Sequence, residues 1–207
     1  VKVCGLTRIG DVEAACAAGV DLVGLVQVER SKRFVTLDQS IELADAARGR
    51  AQLVLLFMDS DERTVAHAVE SLAPDVLQFH GGESPSFCRQ FGLPWIKALA
   101  CHGQSSDVIR QQGAYYADAH YLLLDGHAPG EMGGSGQRVG DEQIGLDLPA
   151  PVMLAGGLSA ENVEQMLQRW RPAAVDVSSG VESAPGEKAS GKVIEFLRAV
   201  VNTAAKC

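Results

Sequence analysis

The chain has 207 residues, 46% hydrophobic and 21% charged, the balance of a globular protein with a sizeable core. A net charge of −8 argues against nucleic acid or an anionic membrane surface as a partner, and no apolar run approaches the ~20 residues that span a bilayer. Five cysteines, odd in number and without CxxC spacing, argue against a disulfide framework or a zinc site and fit a reducing cytoplasm.

In chain order, short aliphatic runs alternate with longer amphipathic ones. VKVC (1–4) reads as a strand and DVEAACAAG as a helix stopped by Gly19. LVGLV (22–26) precedes the helical LDQSIELADAARG, and QLVLLF (52–57) precedes ERTVAHAVESL. VLQF (76–79) is followed by SPSFCRQFG, which Gly92 closes, and WIKAL (95–99) by SSDVIRQQGAYYA. YLLL (121–124) leads into a long glycine-rich loop at 125–145. PVMLA (151–155) precedes SAENVEQMLQRW, with Ser159 as its expected start. AVDVS (174–178) precedes KVIEFLRAVVNTA.

These eight strands, nearly all followed by a helix, predict parallel βαβ units. Their apolar character at almost every position fits a sheet covered on both faces. An open doubly wound sheet and a closed (βα)8 barrel both satisfy the alternation, and the count of eight favours the α/β TIM barrel, as one domain over 1–207. No linker or shift in composition divides the chain.

In such a barrel, polar residues just past the C-terminal strand ends face the active site. Cys4 ends the first strand, where it is either a buried inert thiol or a proton base. Asp125 ends the sixth, as a cap for the next turn or as a general acid made weak by burial. Arg33, between the second and third strands, belongs to a solvated basic loop or forms a fork for a carboxylate. Gln78 and His80 end the fourth strand, and His80 alone decides nothing. Gly156 and Gly157 follow the seventh strand, and Ser178, Ser179 and Gly180 the eighth. Glycine admits close backbone approach, and paired loops after strands seven and eight recur as phosphate sites.

With these pieces in order, the chain resembles the phosphoribosylanthranilate isomerase family. The motifs are KVCGLT, LQFHGGE, IKAL, LLLD, GGSG, LAGGLSAENV and VDVSSGVESAPGEK, spread over essentially the full length. The resemblance implies an Amadori rearrangement of N-(5-phosphoribosyl)anthranilate in tryptophan biosynthesis. It implies Cys4 as general base and Asp125 as general acid, with neither metal nor organic cofactor. Arg33 then holds the anthranilate carboxylate, Gly156, Gly157, Ser179 and Gly180 bind phosphate, and Asp176, Gln78 and His80 lie by the substrate. The implied partner is the small phosphosugar-anthranilate substrate, and the implied assembly a monomer or homodimer.

Departures cluster at the anthranilate end. Leu25 and Gln27 replace the family's Phe-x-Phe, Lys32 stands where Ser-Pro-Arg has proline, and QRVGDEQ replaces the segment with Phe-Asp-Trp. The rival reading is a drifted barrel paralogue that binds a phosphosugar without this activity. A histidine-pathway isomerase would require an aspartate in the place of Cys4.

Overall fold

A computed structural model describes residues 1–128 and 139–204. The GGSG motif at 133–136, the centre of the long loop and Cys207 lie outside them.

Eight parallel strands close into a barrel in chain order: β1 (Lys2–Cys4), β2 (Leu22–Val26), β3 (Gln52–Phe57), β4 (Val76–Phe79), β5 (Trp95–Ala100), β6 (Tyr121–Asp125), β7 (Val152–Leu154) and β8 (Ala174–Val177). β8 pairs back onto β1, setting Lys2 beside Asp176. Each expected strand is present to within one residue at either end. Around the barrel lie α1 (Ile9–Ala18), α2 (Leu37–Ala47), α3 (Glu62–Leu72), α4 (Pro85–Arg89), α5 (Ser106–Tyr115), α6 (Val163–Trp170) and α7 (Ser190–Ala204). Between β6 and β7 the described residues hold only a 3-10 turn at Asp141–Gln143.

Helix starts are written in side chains. Thr36 and Gln39 form a reciprocal capping box, and the Asp61 carboxylate accepts from Thr64 N at 2.9 Å. At the C-terminal end of α1, Gly19 adopts φ +91°, the left-handed turn that closes a helix. Two boundaries differ from expectation. The 84–92 stretch yields only the five-residue α4, so Gly92 turns the chain beyond it instead of capping it. α6 starts at Val163, not at Ser159, because the Asn162 side chain is occupied with the loop: its Oδ1 accepts from Ser159 N and its Nδ2 donates to the Gly157 carbonyl. The sequence also conceals an antiparallel hairpin, β9 (Glu182–Ala184) and β10 (Glu187–Lys188), too short to show a period.

Strand alternation sorts side chains into two layers. Val3, Val23, Leu55, Leu77 and Leu122 point outward and pack beneath the helices. Leu22, Val54, Val76, Ile96, Leu123 and Met153 point inward and fill the barrel floor. Two residues further along, the same inward parity brings Gln78 and Asp125 to the mouth, and Cys4 joins Val26 and Leu56 there. Parity therefore delivers the polar side chains to one end of a filled tube. The four described cysteines are free, and no described helix is long and apolar enough to cross a membrane.

Candidate active site

One cleft at the C-terminal mouth is lined by Cys4, Arg33, Gln78, His80, Asp125, Gly156, Gly157, Asp176 and Ser179, with Val26, Val28, Leu56 and Met58 as an apolar wall. Of the expected site residues only Gly180 is not in the lining. A Cβ there would meet the Leu158 carbonyl oxygen at 1.8 Å, so its glycine lets the loops after β7 and β8 touch. Gly156 and Gly157 take φ of +83° and +59°. Asn162 braces their loop, and Ser179 opens a 3-10 turn whose first N–H groups lack partners within the turn. These are the elements of an anion cradle.

Cys4 sits among charges. Lys2, wholly buried, bonds Asp176 Oδ1 at 3.0 Å, and Ser178 Oγ donates to the Cys4 carbonyl at 2.9 Å. Gly24 makes room for this group: a Cβ there would lie 2.8 Å from Cys4 Sγ and 3.2 Å from Lys2 Nζ. Burial pushes the Cys4 thiol above its ordinary pKa, and Lys2 opposes that rise without cancelling it. Burial likewise raises Asp176 against the pull of Lys2. Burial would discharge Lys2, but Asp176 and Cys4 outweigh it and hold the ammonium above its ordinary value.

Asp125 behaves in the opposite sense to the weak acid expected from its sequence position. Burial would raise it, yet His127 prevails, first through its hydrogen bond, and holds the carboxyl below its ordinary range. His127 Nδ1 lies 3.1 Å from Asp125 Oδ2, while Asp125 Oδ1 is buried with no hydrogen-bond partner among the described residues. His80 stacks on His127 with ring centroids 5.8 Å apart and takes a hydrogen bond from the Gln78 amide on Nε2. A ring nitrogen that accepts must be unprotonated, in line with a His80 pKa pushed down to about 3, first by burial.

Arg33 is not a solvated loop residue. Its Nε and Nη2 grip the two oxygens of Glu182 at 2.7 and 2.8 Å, and Lys188 Nζ bonds the same carboxylate at 2.7 Å. Gly5, φ +74°, is required here, since a Cβ would strike Arg33 Cδ at 2.3 Å. Of the departing residues, Gln27 turns away from the cleft and donates to Ser40 Oγ at 2.9 Å, while Leu25 is core.

Sequence reasoning missed Lys2, His127, Glu182 and Lys188. Lys2 carried a signal, because it shares the parity of Cys4 on one strand. Glu182 and Lys188 are brought in by the unforeseen hairpin. The LQFHGGE and IKAL motifs contribute a second buried pair outside the cleft, Lys97 Nζ to Glu83 Oε2 at 2.9 Å, with Glu83 Oε1 holding Asp59 N. No three His, Cys, Asp or Glu side chains among the described residues are grouped to hold a metal ion.

The chain matches known proteins over nearly its whole length. The family model for N-(5'-phosphoribosyl)anthranilate (PRA) isomerase matches residues 1–199. An N-(5'-phosphoribosyl)anthranilate isomerase of Thiobacillus denitrificans is 42% identical over 197 residues, 95% of each chain. The crystal structure of phosphoribosyl anthranilate isomerase from Thermus thermophilus superposes with a TM-score of 0.83 at 31% identity, covering 97% of this chain and 98% of that one. A phosphoribosyl anthranilate isomerase solved with reduced 1-(o-carboxyphenylamino)-1-deoxyribulose 5-phosphate shares the fold, with a TM-score of 0.81 at 24% identity over 97% of each chain. A match over nearly the whole length, with identity of this order, means that the chain belongs to the N-(5'-phosphoribosyl)anthranilate isomerase family.

Proposed function

We propose that this chain catalyses the Amadori rearrangement of N-(5'-phosphoribosyl)anthranilate to 1-(2-carboxyphenylamino)-1-deoxyribulose 5-phosphate in tryptophan biosynthesis. The observation that carries the proposal is one cleft containing a thiol, a carboxyl group with one oxygen unpartnered among the described residues, and two glycine-serine loops. The loops after β7 and β8 take the phosphate on their amides, and Arg33, held rigid by Glu182, meets the anthranilate carboxylate. Asp176, Gln78 and His80 contact the ribose portion.

Asp125 protonates the ribose ring oxygen through Oδ1, and the ring opens to an iminium. Cys4 then removes the C2 proton, which the iminium has acidified, and the resulting enolamine tautomerises to the ketone. Each step is a proton transfer within the reach of a positioned side chain. The resting cleft favours thiol and carboxylate, whereas the reaction needs thiolate and carboxylic acid. The two forms have the same total charge and differ only in where one proton sits.

The test follows anthranilate fluorescence with the substrate generated in situ. Wild type should consume it, and Cys4→Ser or Asp125→Asn should each slow turnover at least ~100-fold, the usual scale for removing a general acid or base. An inert wild type that still bound phosphosugar would overturn the proposal in favour of a binding paralogue.

A further inference from the structure

A lysine with no exposed surface is costly in a barrel interior, and its placement needs an explanation. Lys2 and Cys4 lie two residues apart on β1 and so point the same way into the barrel. Register completes the arrangement. β8 sets Asp176 beside Lys2, and β2 sets Gly24 beside Cys4. The hollow that a side chain at position 24 would fill is bordered by Cys4 Sγ on one side and Lys2 Nζ on the other.

We propose that Lys2 is the positioning residue of the thiol, a buried ammonium that stabilises the Cys4 thiolate and is itself restrained by Asp176. The proposal rests on the reading of Cys4 as the general base. No other cation on β1 shares the thiol's side of the strand. The remaining charges facing Cys4 are Asp176 from β8, Lys188 from β10 and Arg33 from the loop after β2. Glu182 engages both of the latter at 2.7 Å and answers one of their two positive charges; the remainder acts on Cys4 in the same direction as Lys2 but more weakly. Among the described residues Lys2 has one formal partner, Asp176, and that partner also borders the thiol. Lys2 and Asp176 therefore act on Cys4 with opposite sign, the lysine favouring the thiolate and the aspartate opposing it.

Opposite signs give a test that simple damage to the fold does not mimic. The pH dependence of iodoacetamide labelling of Cys4 would be followed by peptide mass spectrometry in the folded chain, for wild type, Lys2→Met and Asp176→Asn. Labelling reports thiolate directly and does not depend on turnover. The Lys2→Met midpoint should rise by about one pH unit or more, and the Asp176→Asn midpoint should fall, each unit being a tenfold change in thiolate population. In the fluorescence assay Lys2→Met should lose at least ~10-fold in kcat, with KM within about threefold. Labelling of Lys2→Met with the wild-type midpoint would overturn the proposal, as would both midpoints moving the same way. If Lys2→Met does not fold, an Asp176→Asn midpoint that fails to fall overturns it alone. An active Cys4→Ser variant would instead remove the general-base reading, leaving the labelling shifts to stand as a property of the thiol.

Discussion

At the scale of single residues, the two proton-transfer groups rest in the wrong protonation state for their tasks. This fixes the shape of the pH profile. Activity needs Asp125 protonated and Cys4 deprotonated, while Asp125 lies below the ordinary carboxyl range and Cys4 above the ordinary thiol range. Between those two values the fraction in the reactive form is constant, because each proton gained by one group is matched by one lost from the other. We expect kcat/KM to be flat across neutral pH, falling on the acid side at a carboxyl pKa and on the alkaline side at a thiol pKa. A narrow bell centred near pH 7 would contradict this. Glu182 supplies a second pH effect. Burial alone would raise it, but hydrogen bonds from Arg33 and Lys188 bring it from 4.5 down to about 2. A carboxylate depressed by folding stabilises the folded state above its unfolded pKa, and that contribution disappears as pH falls through the folded value. Denaturant unfolding of Glu182→Gln should therefore show a shallower loss of stability than wild type between pH ~5 and ~2.

At the scale of elements, the strands are legible because each is a short aliphatic run between turn signals, and their C-terminal ends point to Cys4, Asp125 and Gln78 at once, whereas Asp176 comes from the family resemblance. The parity of one strand is enough to say that Asp125 faces the same interior as Leu123. What the sequence did not carry is pairing between distant elements. The grip of Arg33 on Glu182 joins residues 149 apart, and that of Lys2 on Asp176 joins residues 174 apart. No local period encodes either. The protonation state of Asp125 is hidden for the same reason: burial alone predicts a raised carboxyl, and the histidine two residues on reverses the sign. The loops after β7 and β8 show the limit most sharply: Gly180 reads as a phosphate contact, and its close approach to the Leu158 carbonyl, which joins the two loops, has no signal in the sequence. Gly180→Ala would drive a methyl group into the Leu158 carbonyl, backbone against backbone, with no flexible side chain to yield. We expect a cost of about 1–3 kcal/mol, the usual range for overpacking, seen as a lower Tm and a raised KM in the fluorescence assay.

For the molecule as a whole, the proposed phosphate cradle draws on both β7 and β8 and so couples ligand binding to barrel closure. An anion that binds only the closed barrel stabilises it by mass action, about 2.7 kcal/mol at 100 times its Kd. For a chain of this size that corresponds to a rise in Tm of roughly 5–10 °C. Inorganic phosphate should produce such a rise in wild type and a much smaller one in Gly180→Ala. An equal rise in both would place the anion elsewhere.

The seam between β1 and β8 also sets a timetable for synthesis. Within the barrel the thiol is synthesised well ahead of its partners, since its carbonyl is held by Ser178 and its neighbouring lysine by Asp176. Seven further strands must be made before β1 has both its neighbours, so during translation Cys4 stands in a half-built wall, less covered than in the finished barrel. The first strand of the barrel waits on the last.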